Sequence, residues 1–100
     1  MITVEVKEDE IQIIGHANYA EIGKDIVCSA VSTLYQNLII SLTELTNDKI
    51  TYKIKAGDSS LSHKELSSNG RLLKNSFILG VQDIVETYPN HVSLEIKERL

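Results

Sequence analysis

The hydrophobic pattern of this chain changes its period at Asp25, and this change is the strongest restriction on the fold. Before it, apolar residues alternate with polar ones from Ile2 to Val6, and the alternation resumes at Ile11. This period of two predicts two strands, each with one buried face. After Asp25, apolar side chains recur three and four residues apart as far as Leu42, which predicts a helix of about twenty residues.

Alternation returns in two later segments, residues 50–54 and 92–96. Between them, the polar residues 57–69 predict a loop, and an apolar stripe from Leu73 to Tyr88 predicts a second helix. The predicted order is therefore ββαβαβ. We expect an α+β fold in which a small mixed sheet carries two helices on one face. All 100 residues fit a single domain of ordinary size.

Composition restricts the classes of function. The net charge of −4 argues against a protein that binds nucleic acid over a broad basic face. The chain has a single cysteine and three scattered histidines, so we expect no disulfide, no metal site and no cofactor. No apolar run approaches the ~20 residues that cross a membrane, and the first residues lack the pattern of a secretory signal. We expect a cytoplasmic protein that does not bind membranes.

The single cysteine, Cys28, lies three residues after Asp25, whose carboxylate is a good N-cap. This spacing places the thiol in the first helical turn, where unpaired amides and the helix dipole favour a thiolate. The thiol lies at the edge of the apolar stripe, where a substrate can reach it. His16, at the end of the second predicted strand, could supply the imidazole that a cysteine hydrolase needs. We expect the first-turn amides to receive an oxyanion.

These residues by themselves leave two questions open. Free cysteine is among the most commonly buried residue types, so Cys28 is either a nucleophile or a packed structural thiol. Asp25 either orients His16 as a third member of the site or only caps the helix. Its negative charge would also oppose formation of a thiolate nearby.

The segment from Gly15 to Ser32, GHANYAEIGKDIVCSAVS, resembles the signature of the Prp (YsxB-like) ribosomal-processing cysteine proteases. That family has a Gly-His pair, a glycine-containing loop, Asp-Ile-Val-Cys and a run of small residues that ends in serine. Ser29 is a departure, since alanine is more usual there. The resemblance implies a cysteine endopeptidase that removes a short N-terminal extension from the precursor of ribosomal protein L-twenty-seven. It also implies a homodimer.

Carried over by position, the resemblance makes Cys28 the nucleophile and His16 its proton-transferring partner. Asp25 and Ser32 become supports of the active site. The residues of the substrate loop are then Gly15, Ala17, Tyr19 and Gly23. The alternative function is a non-catalytic module that binds a ribosomal protein or an assembly intermediate, with Cys28 serving only to pack the fold.

Overall fold

The computed structural model describes residues 1–21 and 25–97. Its elements are β1 (Ile2–Lys7), β2 (Glu10–Ile14), α1 (Ile26–Leu45), β3 (Ile50–Lys53), β4 (Asp58–His63), α2 (Ser68–Thr87) and β5 (Val92–Lys97). The predicted α+β class, a mixed sheet with two helices on one face, is confirmed. The predicted succession of elements is present, with one further strand inserted before the second helix.

The sheet has the strand order β3-β4-β2-β1-β5. Strand β1 pairs in parallel with β5, and every other neighbouring pair is antiparallel. Because alternate residues of a strand face the same side, Ile2, Val4 and Val6 are all buried beneath the helices. The helices complete this core with Val27, Val31, Tyr35, Leu38, Leu42, Phe77 and Val81.

Strand β4 lies within residues 57–69, which the sequence predicts as a loop, and that prediction is wrong for Asp58–His63. The strand contains three serines and a single aliphatic residue, Leu61, so it lacks a clear apolar alternation. Its backbone is nevertheless paired on both sides, with β2 and with β3. Leu61 alone is fully buried. Pairing with two neighbours, rather than side-chain propensity, therefore determines this strand.

Helix α1 begins directly after Asp25, as the capping pattern predicts, and ends at Leu45. Its buried face consists of Val27, Val31, Tyr35, Leu38, Ile39 and Leu42. The sequence predicts no segment of membrane-spanning length, but among the described residues α1 is one helix that is long and apolar enough to cross a membrane. The central helix of a packed domain has the same composition, and the apolar face of α1 contributes to the core beside the sheet.

Tyr35 connects α1 to two strands. Its hydroxyl lies 2.9 Å from the Lys53 carbonyl oxygen and 2.6 Å from the Ser60 carbonyl oxygen. The single hydroxyl hydrogen is therefore shared between two acceptors on β3 and β4. Burial of the ring, with a smaller contribution from Tyr52, raises the pKa of Tyr35 from 10.0 to about 12.

Replacing Tyr35 with phenylalanine is expected to lower the free energy of unfolding at neutral pH by about 1 kcal/mol, because both carbonyls lose their donor. The pH dependence should differ as well. The folded protein holds the Tyr35 proton up to about pH 12, whereas the unfolded chain releases it near pH 10. The wild-type protein should therefore lose up to about 3 kcal/mol of stability across that range, and Tyr35→Phe should not.

Urea unfolding followed by circular dichroism at several alkaline pH values measures this difference. The Tyr88→Phe variant is the control, since that hydroxyl makes none of the hydrogen bonds found among the described residues. Its unfolding free energy should change with pH as that of the wild-type protein does. The prediction is contradicted if the unfolding free energies of Tyr35→Phe and the wild-type protein fall equally with rising pH.

Candidate active site

A cleft of about 200 Å³ lies where β2 ends and α1 begins. Cys28, Ser32 and His16 all line it. Its apolar lining comes from Ile2, Ile13, Val31, Tyr35, Ile54 and Ala56. The thiol, the imidazole and the serine that the sequence singles out are thus in one place. Since the cleft is smaller than the ~300–1,000 Å³ of most small-molecule pockets, it suits a side chain of a peptide.

Cys28 is partly buried in the first turn of α1. Its sulfur is 3.4 Å from the backbone nitrogen of Ala17, which donates a hydrogen bond to it. A donor directed at the sulfur stabilises the thiolate more than the thiol. The loop before the helix therefore supplies an amide to the nucleophile candidate, and Ala17, predicted as a residue of the substrate loop, contacts Cys28 directly.

Asp25 uses both carboxylate oxygens to hold the backbone. Oδ1 accepts the amides of Val27 and Cys28 at 3.0 and 2.9 Å. Oδ2 accepts the amides of Tyr19 and Ala20 at 3.0 and 3.4 Å. Burial raises the pKa of the carboxyl, but the hydrogen bonds from Cys28, Tyr19 and Ala20 outweigh it and lower the pKa overall. The carboxylate thus joins the loop to the helix.

This arrangement answers one question that the sequence left open. Asp25 caps the helix, and among the hydrogen bonds of the described residues none connects it to His16. It also corrects an expectation, because the first-turn amides of Val27 and Cys28 are already occupied by the cap. The Ala17 amide, which already points at the sulfur, is a better placed donor for an oxyanion.

His16 follows β2 and packs against the turn between β3 and β4. A Cβ atom built on Gly57 would lie 2.7 Å from His16 Nε2, so the ring rests directly on this glycine. The Gly57 carbonyl accepts the Gly15 amide at 3.0 Å. Both glycines have positive φ, 93° and 77° for Gly15 and Gly57, which side-chain-bearing residues rarely adopt. Sequence analysis assigned Gly57 only to a loop.

Replacing Gly57 with alanine or asparagine is expected to reduce activity about 100-fold, because the new Cβ displaces the His16 ring. Alanine also carries a conformational penalty of about 1 kcal/mol at this positive φ, whereas asparagine tolerates it better. Kinetics of the peptide cleavage that the resemblance implies, and thermal melting, separate these effects. Wild-type activity in Gly57→Asn would contradict the idea that this glycine positions the imidazole.

The other predicted site residues are distributed as follows. Ser32 is exposed on the wall of the cleft, one turn after Cys28, and Gly15 also lines the cleft. Tyr19 is 44% exposed and packs edge-on against Tyr88 and His91. Gly23 lies outside the described residues. Within residues 1–21 and 25–97, no three His, Cys, Asp or Glu side chains are grouped in a way that could hold a metal ion.

A thiol and an imidazole on the wall of one small cleft are the side chains that a cysteine hydrolase uses. The chain belongs to the cysteine protease Prp family, whose family model matches residues 1–93.

Two relatives described as ribosomal processing cysteine protease Prp are similar to nearly the whole chain. The relative from Staphylococcus aureus is 26% identical over 106 residues, covering 97% of this chain and 100% of that protein. The relative from Mycoplasma genitalium is 29% identical over 94 residues, covering 92% of each.

Solved structures are similar in fold. The S. aureus ribosomal processing protease Prp, in complex with a covalently linked product peptide, gives a TM-score of 0.91 at 23% identity, covering 97% of this chain and 100% of that chain. The protein SMU.848 from Streptococcus mutans gives 0.79 at 27% identity, covering 98% and 93%. These likenesses agree with the mixed sheet and two helices described above.

Proposed function

We propose that this chain is a cysteine endopeptidase that removes the short N-terminal extension of the precursor of ribosomal protein L-twenty-seven. The observation that carries the proposal is the position of Cys28, in the first turn of α1 and on the wall of a cleft shared with His16. Relatives described as ribosomal processing proteases support it. A relative has also been crystallised with a substrate peptide and with a covalently linked product peptide.

In the proposed reaction, His16 takes the proton of the Cys28 thiol, and the sulfur forms a bond to the carbonyl carbon of the scissile peptide. The carbonyl oxygen becomes an oxyanion, for which the Ala17 amide is a donor already in place. His16 then gives its proton to the leaving amine as the carbon–nitrogen bond breaks. The mature protein leaves, and the N-terminal extension stays attached to the sulfur as a thioester.

Water completes the cycle. It gives a proton to His16 and attacks the thioester carbonyl, and the carbon–sulfur bond breaks. The extension departs as a carboxylic acid, and the thiolate recovers its proton from His16. Net, one water molecule is consumed for each peptide bond that is cleaved.

The proposed site is a dyad. Asp25 is committed to the backbone amides of the loop and the helix, and no carboxylate among the described residues hydrogen-bonds to the His16 ring. Packing on Gly57 limits the positions of the ring instead. In other proteases a carboxylate, the third member of a catalytic triad, orients the histidine ring. In the proposed dyad the turn that carries Gly57 orients the His16 ring instead.

The lining of the cleft predicts the type of side chain that the substrate carries next to the scissile bond. Ile13, Ile54 and Ala56 contribute an apolar surface to the cleft that Cys28 lines. An apolar side chain next to the scissile bond would bury its surface there and gain roughly 25 cal/mol per Å². We expect cleavage after a bulky apolar residue of the extension.

Incubation of the protein with the extended precursor, followed by mass measurement, tests this function. The expected result is two products whose masses sum to the precursor plus one water, and no change in a precursor that already lacks the extension. A precursor that is bound but remains intact would overturn the proposal and favour the non-catalytic binding module.

The cytoplasmic location and the homodimer remain predictions. Light scattering across a range of protein concentrations measures the oligomeric state, and we expect the mass of a dimer.

A further inference from the structure

His91 is bonded to the loop that precedes α1, although 74 positions separate it from its partner in sequence. Its Nδ1 atom lies 2.9 Å from the Ala17 carbonyl oxygen. A carbonyl oxygen only accepts hydrogen bonds, so Nδ1 carries a hydrogen and donates it. The neutral Nδ1–H tautomer and the imidazolium both have this hydrogen, and the bond can form in either charge state.

The backbone of His91 is itself held firmly in the turn between α2 and β5. Its amide donates to the Tyr88 carbonyl at 3.0 Å, and its carbonyl accepts the Ile2 amide at 2.9 Å. The Tyr19 ring packs edge-on against both aromatic residues of this turn, with centroids 5.2 Å from His91 and 5.3 Å from Tyr88. The turn thus holds the loop through one hydrogen bond and two ring contacts.

Ala17 connects the turn to the active site, because it is hydrogen-bonded to both His91 and Cys28. Its amide donates to the Cys28 sulfur at 3.4 Å, its carbonyl accepts from His91, and the residue is only 1% exposed. The Ala17 amide and the Ala17 carbonyl lie in successive peptide planes that meet at the Ala17 Cα atom, so only the φ and ψ rotations about that atom separate them. Because the residue is buried, holding its carbonyl restricts the rotations that would turn its amide away from the sulfur.

We propose that His91 is a positioning residue, which holds the Ala17 carbonyl and thereby keeps the Ala17 amide directed at Cys28. His91 does not line the cleft, and it acts through Ala17. The inference rests on the proposed function, in which this amide first favours the thiolate and then donates to the oxyanion.

The test compares three variants with the wild-type protein. His91→Ala removes the donor, and His91→Asn places an amide donor close to the position of Nδ1. Asn90→Ala is the control, at an exposed position in the same turn. The rate of Cys28 alkylation by iodoacetamide is measured from about pH 5 to about pH 10, a range that spans ordinary thiol ionisation. Values of kcat and KM are measured with the extended precursor.

For His91→Ala we expect Cys28 to react with iodoacetamide roughly three- to tenfold more slowly at neutral pH, because the sulfur loses the directed Ala17 amide. We expect kcat to fall about tenfold and KM to stay within about twofold, because the misplaced donor matters most in the transition state. His91→Asn should restore both values, and Asn90→Ala should match the wild-type protein. His16 and Lys55, which line the cleft with Cys28, and Asp25, which caps the helix, are unchanged in every variant, so His91 is the one titratable group that is removed.

A lower melting temperature in His91→Ala with an unchanged alkylation curve and unchanged kcat would show that His91 is only structural, and would overturn the inference. If His91→Ala fails to fold, His91→Gln provides the same comparison, because its donor reaches beyond the Nδ1 position. Failure of the proposed function gives a different result, since the wild-type protein would then leave the precursor intact. The alkylation comparison would still report on His91.

Discussion

Replacing Cys28 with alanine is expected to reduce cleavage of the extended precursor by at least about 10³-fold, to the background rate, because no other thiol exists in the chain to attack the peptide bond. The fold should be retained. Cys28 is only partly buried at the edge of the packed face, so the variant should lose about 1 kcal/mol or less of unfolding free energy. Mass measurement of the products gives the loss of cleavage, and thermal melting gives the loss of stability.

Ser29→Ala is the matched control for this experiment. Ser29 is the next residue of the same helical turn, is exposed, and does not line the cleft. It should cleave the precursor at the wild-type rate. If Cys28→Ala also trims the precursor at the wild-type rate, Cys28 is not the nucleophile and the proposed mechanism is wrong.

Replacing His16 with alanine is expected to slow cleavage by about 10²- to 10⁴-fold, the usual contribution of a positioned general base. Alkylation of Cys28 by iodoacetamide at neutral pH should slow as well, because the thiol loses the group that takes its proton. Both rates are measured on the same preparation. If His16→Ala binds the precursor normally and fails only in turnover, the lost activity belongs to the chemical step and not to substrate binding.

Imidazole added to the His16→Ala protein provides a control for this second prediction. The substitution leaves a space above Gly57 where the ring had packed, and free imidazole can enter it. Partial recovery of cleavage that rises with imidazole concentration is expected. Wild-type cleavage by His16→Ala in the absence of imidazole would exclude His16 as the base.

The start of α1 could be predicted because its determinants are local in sequence. Asp25 precedes an apolar repeat of helical period, and a cap three residues before Cys28 necessarily places the thiol in the first turn. The same local pattern explains why Asp25 proved to be the cap. Its second role, holding the Tyr19 amide, depends on the path of the loop and has no sequence signal.

The parts that sequence analysis missed depend on contacts between distant segments. Gly57 matters because His16 packs on it, and His91 matters because Ala17 comes within hydrogen-bonding distance. Lys74 is another example. The charge of this side chain favours an exposed position on α2, yet it is 5% exposed and donates to the Lys7 carbonyl at 2.8 Å. Contacts between such distant residues leave no periodic pattern in the sequence.

The parallel pairing of β1 with β5 has a consequence for biosynthesis. The ribosome makes Cys28 and His16 early, but β1 pairs with a strand that begins at Val92, and the Ile2 amide donates to His91. While residues near position 91 are still inside the exit tunnel, the nascent chain lacks the strand and the turn that support its loop. The finished cleft therefore forms only after β5 has left the tunnel, which delays the proposed proteolysis until that point of synthesis.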